Sequence, residues 1–144
     1  MRIDGVLRAK GHEVISVAPD AVLREAAELL HKHRIGALLV LGPHDELIGI
    51  VSERDIIGTV AERGSDALYM RVDQVMSSEV VVCSSRDTVE QLMTVMTERR
   101  FRHLPVVDNG QLVGIVSIGD VVKRRLSEIS DEADALHGYL TYGR

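Results

Sequence analysis

The chain contains a long internal repeat. Residues 49–55 read Gly-Ile-Val-Ser-Glu-Arg-Asp and residues 114–120 read Gly-Ile-Val-Ser-Ile-Gly-Asp, at a shift of 65 positions (114 minus 49). Apolar pairs flank both copies, and upstream of them residues 34–40 correspond to residues 100–106 at a shift of 66. A match of this extent indicates an internal duplication, so one structural unit is expected to occur twice in the chain.

Each copy is predicted to run strand, helix, strand, strand, helix. Alternating or short apolar runs bounded by turn residues predict strands over residues 13–17, 37–41, 47–51, 80–83, 104–107 and 112–116. Asp20 is a candidate N-cap for the first helix, and Thr88 with Gln91 has the spacing of a capping box. Residues 65–73 are interpreted as the linker between the copies.

The predicted fold class is α/β, with two quasi-symmetric units that pack sheet to sheet around an aliphatic core and a C-terminal helical extension. Residues 1–66 are assigned to the first repeat, residues 67–126 to the second, and residues 127–144 to the helical tail. A unit of roughly 60 residues is marginal alone, so each copy is expected to need the other.

The tail carries an apolar seam with coiled-coil spacing. Its members recur at intervals of four and three residues and are Val122, Leu126, Ile129, Ala133, Leu136 and Leu140. Two interpretations remain open: the helix folds back on its own domain, or it packs against a second subunit.

Composition restricts the functional classes. The net charge of −5 disfavours nucleic acid or an anionic membrane as the main partner. Cys83 is the only cysteine, which fits a reducing compartment and a small core residue rather than a redox centre. No run approaches the roughly 18 apolar residues of a membrane span, so a cytoplasmic location is expected.

Catalytic and metal motifs were sought without success. The sequence contains no phosphate loop, no dinucleotide fingerprint and no nucleophile elbow. His31 and His33 are two positions apart on a predicted helix and cannot face the same way. We therefore expect neither an enzyme nor a metal site.

The double pattern resembles a tandem pair of cystathionine-β-synthase (CBS) domains, called a Bateman module, over about residues 10–126. The likeness is carried by the two Gly-Ile-Val-Ser-x-x-Asp copies, by Leu-Pro-Val-Val-Asp at residues 104–108, and by the amphipathic helix before each. It implies clefts between the repeats for an adenosine-containing ligand, with the serine and aspartate after the last strand holding the ribose. It also implies a homodimer, since two such pairs commonly form a disc.

The chemistry of the repeated motif suits the ribose role. A carboxylate can accept both protons of a ribose diol, and a neighbouring serine can add a further hydrogen bond. The expected ribose-binding residues are Ser117 and Asp120 in the second repeat and Ser52 and Asp55 in the first. The alternative interpretation is an ordinary helix capping box, and the two roles are compatible.

The two clefts are predicted to differ in charge. The second repeat has Arg102 and His103 where the first has Gly36 and Ala37. A guanidinium and an imidazolium suit a phosphate, and the resemblance implies that basic residues here contact one. Arg54 is a candidate third cation. The second repeat is therefore expected to hold the better nucleotide site, unless Arg102 belongs only to a solvated helix end.

The sequence gives little guidance on which residues would form the walls of an adenine pocket. Adenine is usually selected by backbone groups and apolar surfaces, which carry no distinctive sequence pattern. The candidates are the first strands and the start of each middle strand, namely Val14, Ile15, Ser16, Leu38, Val81, Val82, Cys83, Leu104 and Pro105.

Two functions follow as hypotheses. The first is a regulatory sensor without a required cofactor, whose ligand is AMP, or else ADP, ATP, NAD(H) or S-adenosylmethionine. It would act on its own oligomer or on a protein target that the sequence does not name. The second is a ligand-independent assembly protein, in which the serine–aspartate pairs only cap helices and the tail drives oligomerisation.

Overall fold

The structure, a computed structural model, describes residues 1–142 and the side chains of residues 1–138. The helices are α1 (Ile3–Lys10), α2 (Leu23–His33), α3 (Glu53–Arg63), α4 (Val89–Arg99) and α5 (Ile118–Tyr142). The strands are β1 (Ser16–Val17), β2 (Ala37–Leu41), β3 (Leu47–Ser52), β4 (His103–Asp108) and β5 (Gln111–Ser117). The predicted α/β class is confirmed.

Two packing units are present. Val14–Val81 forms the first-repeat unit, and Met1–Glu13 joins the chain from Val82 onward to form the second-repeat unit. This division does not follow the predicted boundary at residue 66, because the first 13 residues pack with the second repeat. Each unit is described separately below.

The first-repeat unit is a three-stranded sheet with helices α2 and α3. β2 lies in the middle, parallel to β1 and antiparallel to β3. Leu38, Leu39 and Val40 of β2 are fully buried, as expected for a central strand covered on both faces. Leu23, Ala26 and Leu30 of α2, spaced three and four residues apart, form its buried stripe.

The second-repeat unit is built around the antiparallel pair β4 and β5. Val89, Leu92 and Met96 of α4 are buried, and Thr88 with Gln91 forms the predicted capping box at the start of this helix. Helix α5 follows directly from β5.

Helix α1 is an integral part of the second-repeat unit. Its apolar face, Ile3, Val6 and Leu7, is buried. The backbone is tied to the segment before α4 by Ile3 N–H donating to Asp87 O at 2.8 Å and by Val89 N–H donating to Met1 O at 2.9 Å. Burial and hydrogen bonding together explain why this N-terminal segment joins the later repeat.

A short additional repeat accounts for the close packing at Gly49 and Gly114, the first residues of the two motif copies. Residues 3–7 (Ile-Asp-Gly-Val-Leu) correspond to residues 72–76 (Val-Asp-Gln-Val-Met) at a shift of 69. A Cβ added at Gly114 would lie 2.7 Å from Leu7 Cδ2, and one added at Gly49 would meet the Met76 side chain. A larger residue at either glycine would therefore force the Leu7 or Met76 side chain to move from its packed position against the strand.

Several local predictions were wrong. The predicted strand at residues 13–17 is reduced to β1, and residues 80–83 contribute only one bridge, between Cys83 and Val106. Asp20 caps nothing, since α2 begins after Val22, whose backbone is held extended by a bridge to Arg71. The predicted linker instead contains two 3-10 helices, Gly64–Tyr69 and Val72–Gln74, in which Ala67 and Val72 are fully buried.

Helix α5 continues well beyond β5, and its apolar seam is open. The side chains of Leu126 and Leu136 are 61% and 60% exposed, and those of Val122 and Ile129 are also exposed. The described seam is therefore not covered by its own chain, whereas Leu140 lies outside the described side chains. None of the described helices is both long and apolar enough to span a bilayer.

Candidate functional site

In the first-repeat unit, the serine–aspartate pair forms a capping box at the start of α3. Ser52 ends β3, and its Oγ accepts from the Asp55 amide at 3.2 Å, while the Ser52 amide donates to Asp55 Oδ2 at 2.9 Å. Oδ1 of Asp55 takes no part in this capping box. The cap thus uses one carboxylate oxygen and leaves the other available.

The pair in the second-repeat unit has the same geometry at the start of α5. The Asp120 amide donates to Ser117 Oγ at 3.1 Å, and the Ser117 amide donates to Asp120 Oδ2 at 2.8 Å. Asp120 Oδ1 likewise takes no part in the cap. Helix capping and a free oxygen for an incoming hydroxyl therefore coexist at both positions.

Asp120 differs from Asp55 because it has a cationic partner. Lys10 Nζ, at the end of α1, donates to Asp120 Oδ2 at 2.5 Å and to Ile115 O at 2.8 Å. Burial of the carboxyl alone would raise its pKa, but the hydrogen bonds from Lys10 and Ser117 outweigh burial, so the pKa of Asp120 lies below its ordinary value. Among the described residues Asp55 has no such ion pair.

The predicted phosphate residues of the second repeat lie next to its serine–aspartate pair. His103 is the direct cross-strand partner of Ser117, and the Ile118 amide donates to Arg102 O at 2.7 Å. The Arg102 side chain is exposed. A guanidinium and an imidazole are therefore carried by the strand end that adjoins the start of α5.

The first repeat has the same backbone arrangement without these cations. Ala37 pairs with Ser52, and the Glu53 amide donates to Gly36 O at 3.0 Å. Arg54, the third predicted cation, belongs to this unit and is exposed in the first turn of α3. The sequence difference between the repeats is thus a difference between equivalent structural positions.

The predicted adenine walls divide into two groups. Leu38, Leu104 and Pro105 are buried in strands, and Cys83 is buried beside β4, so these four residues are core rather than open surface. The other group has accessible surface: Val14, Ile15, Ser16 and Val81 are half-buried, and Val82 is 46% exposed.

Cys83 has the environment of a structural residue. Burial raises the pKa of its thiol to about 12, and the nearby carboxylates of Asp87 and Asp108 add to the effect. Since the thiolate is the reactive form, this cysteine is protonated and unreactive near neutral pH.

A cavity of about 500 Å³ in the first-repeat unit adjoins the serine–aspartate pair, since Gly36 and Glu53 are among its lining residues. It is lined by the end of α2 and the start of α3, including Leu30, Arg34 and Ile57. None of the predicted ribose or phosphate residues lines it. No group of three or more potential metal ligands occurs among the described residues.

Sequence reasoning missed Lys10 and His12. His12 Nδ1 lies 2.9 Å from Val113 O, so both residues following the buried face of α1 contact β5. A basic residue in the last turn of a helix is common and carries no specific signal, since it interacts favourably with any helix C-terminus.

Known proteins that resemble this chain in sequence and in structure contain CBS domains. The CBS domain model matches residues 10–62 and 72–127. The CBS domain-containing protein CBSX3, mitochondrial, of Arabidopsis thaliana is 30% identical, covering 98% of this chain and 72% of that protein. The crystal structure of the CBS-domain containing protein ATU1752 from Agrobacterium tumefaciens is 45% identical, with a TM-score of 0.84 over 86% of this chain and 92% of that one.

A more distant structural neighbour contains ligands. It is the CBS domain pair of protein MJ0100 in complex with 5′-methylthioadenosine and S-adenosyl-L-methionine. It is 23% identical, with a TM-score of 0.79 over 89% of this chain and 98% of that chain. At this identity the likeness concerns the fold.

Proposed function

This chain belongs to the CBS-domain family, and we propose that it is a regulatory module that binds an adenosine-containing nucleotide through its serine–aspartate pairs. The carrying observation is the repeated capping box, in which Oδ2 of Asp55 and Oδ2 of Asp120 cap their helices and Oδ1 of each takes no part in the cap. Such an oxygen can accept a ribose hydroxyl while the other oxygen still caps the helix. The adenosine ligands of a solved CBS pair of the same fold support this ligand class.

AMP is the ligand that we favour. It needs one ribose contact and one phosphate contact, and Arg102 and His103 adjoin Ser117 in the second-repeat unit. ADP, ATP and NAD(H) would use the same cations, with Arg54 serving the first repeat. S-adenosylmethionine carries no phosphate and would make no use of those basic residues.

The proposed output is a change in conformation or assembly rather than a chemical reaction. Regulation of this kind requires the ligand to bind two states of the protein with different affinities. This change would act on another subunit or on a separate cytoplasmic protein.

Ligand-dependent thermal unfolding tests the proposal. We expect AMP at about 100 times its Kd to stabilise the protein by about 2.7 kcal/mol, which raises Tm by several degrees. The Tm shifts produced by ATP, NADH and S-adenosylmethionine rank these rival ligands against AMP. GMP serves as the control for nonspecific phosphate binding. Equal shifts with GMP, or no shift with any adenosine compound at millimolar concentration, would contradict an adenosine-binding function.

The open seam on α5 favours a second function, self-assembly. Its apolar side chains are exposed, and the helix is basic at Lys123, Arg124 and Arg125 but acidic at Glu128, Asp131, Glu132 and Asp134. An antiparallel second copy would cover the seam and place the basic half against the acidic half. We therefore propose a homodimer joined through α5.

Light scattering after gel filtration tests this assembly. The double substitution Leu126→Ser with Leu136→Ser should convert dimers to monomers, because it removes most of the apolar contact. Ser127→Asp, an exposed change beside the seam, serves as the control and should leave the mass unchanged. A wild-type monomer, or a dimer that survives the double substitution, would exclude α5 as the interface.

A further inference from the structure

We propose that Lys10 is an internal competitor for the ribose site of the second-repeat unit, so that a nucleoside that binds Asp120 through both ribose hydroxyls must displace it. The inference rests on the proposed function and adds to it a residue outside the repeated motif. It concerns contacts within the second-repeat unit, since α1 and the start of α5 both belong there.

The geometry of the Lys10 ammonium supports competition. It donates to Asp120 Oδ2 at 2.5 Å and to Ile115 O at 2.8 Å. Oδ2 also accepts the Ser117 amide, so one ribose hydroxyl can bind Oδ1 with Lys10 in place, whereas a second hydroxyl on Oδ2 requires Lys10 to leave. The Lys10 and Asp120 side chains are 31% and 27% exposed, so the pair is partly shielded from water. Both partners of this ion pair are charged, so it adds a Coulombic attraction that a neutral ribose hydroxyl on the same oxygen lacks.

The two repeats differ at this position. Under the shift of 69 that relates residues 3–7 to residues 72–76, Lys10 corresponds to Glu79. Glu79 is exposed, and Asp55 has no ion pair among the described residues. Competition by a cation is therefore expected at Asp120 and not at Asp55.

Displacement is sterically simple and has a consequence for α1. Lys10 is the last residue of the helix, and Gly11 follows with a φ of +105° that favours glycine. The flexible lysine stem can swing away while the apolar face of α1 stays buried. Ligand binding would then also break the contact between the Lys10 side chain and Ile115 O of β5, while the backbone of α1 stays in place.

Calorimetric titration with adenosine isolates the effect, because adenosine has the diol but no phosphate. We expect Lys10→Met to bind adenosine about tenfold more tightly than wild type, which corresponds to about 1.4 kcal/mol. Arg8→Met is the matched control: it removes one positive charge from the same helix, and the Arg8 side chain is 76% exposed and pairs with Asp4. Its affinity should equal that of wild type.

The outcomes separate the two proposals. Adding Asp120→Ala to Lys10→Met should abolish the increase in adenosine affinity. That loss would assign the increase to the Asp120 site. Wild-type binding that is unchanged or weakened by Lys10→Met would overturn competition while leaving the proposed function intact. No binding by wild type or by cooperatively folded Lys10→Met would overturn both.

Discussion

Replacing Leu7 with alanine is expected to destabilise the second-repeat unit by about 2–5 kcal/mol, the usual cost of removing a buried leucine side chain. Leu7 is only 1% exposed and lies where a Cβ at Gly114 would clash with it, so its removal leaves a cavity against β5. A loss of this size is a large fraction of the 5–15 kcal/mol that typically stabilises a domain.

Urea unfolding followed by circular dichroism measures the loss, and amide exchange locates it. Protection should fall in β4 and β5, which belong to the same unit as α1. Arg8→Ala, one position along the helix with an exposed side chain, should change stability by less than about 0.5 kcal/mol. If the two variants were equally stable, α1 would not be part of the folded core.

Changing Asp120 to asparagine is expected to weaken AMP binding by about 10- to 100-fold. Asparagine can still accept the Ser117 amide hydrogen bond and cap the helix, so the fold is retained. It loses the negative charge that strengthens hydrogen bonds to the ribose hydroxyls, an effect of about 1.5–3 kcal/mol. Asp55→Asn should have a smaller effect, because Gly36 and Ala37 stand where the second repeat has two cations.

Titration calorimetry on both variants measures this difference. Asp87→Asn is a suitable control, since Asp87 also accepts a backbone hydrogen bond, from the Ser84 amide, and its loss changes the net charge equally. Affinity should survive that change. Equal AMP affinity in wild type and Asp120→Asn would show that the carboxylate only caps the helix.

The repeated part of the fold was predictable from sequence because each copy supports the assignment of the other. β2, β3, β4 and β5 follow apolar runs with clear turns, and their register places Ser52 and Ser117 at equivalent positions. The first strands were overestimated because apolar character at Val80–Val82 does not reveal whether a neighbouring strand is present to pair with them.

The placement of α1 could not be predicted from periodicity. The correspondence between residues 3–7 and residues 72–76 was a usable signal. However, a match of five residues does not indicate which sheet the N-terminal segment packs against. Lys10 was missed for the same reason, since its contact with Asp120 spans 110 positions. Leu38 and Leu104 were assigned to a ligand wall because apolar identity does not distinguish a cleft surface from a strand buried on both faces.

A crystal structure of the chain grown with AMP tests the central claim most directly. The account predicts AMP in the second-repeat unit, with its ribose hydroxyls on Asp120, its phosphate on Arg102 and His103, and Lys10 withdrawn from the carboxylate. AMP bound away from both serine–aspartate pairs, or absent at millimolar concentration with Lys10 still on Asp120, would contradict it.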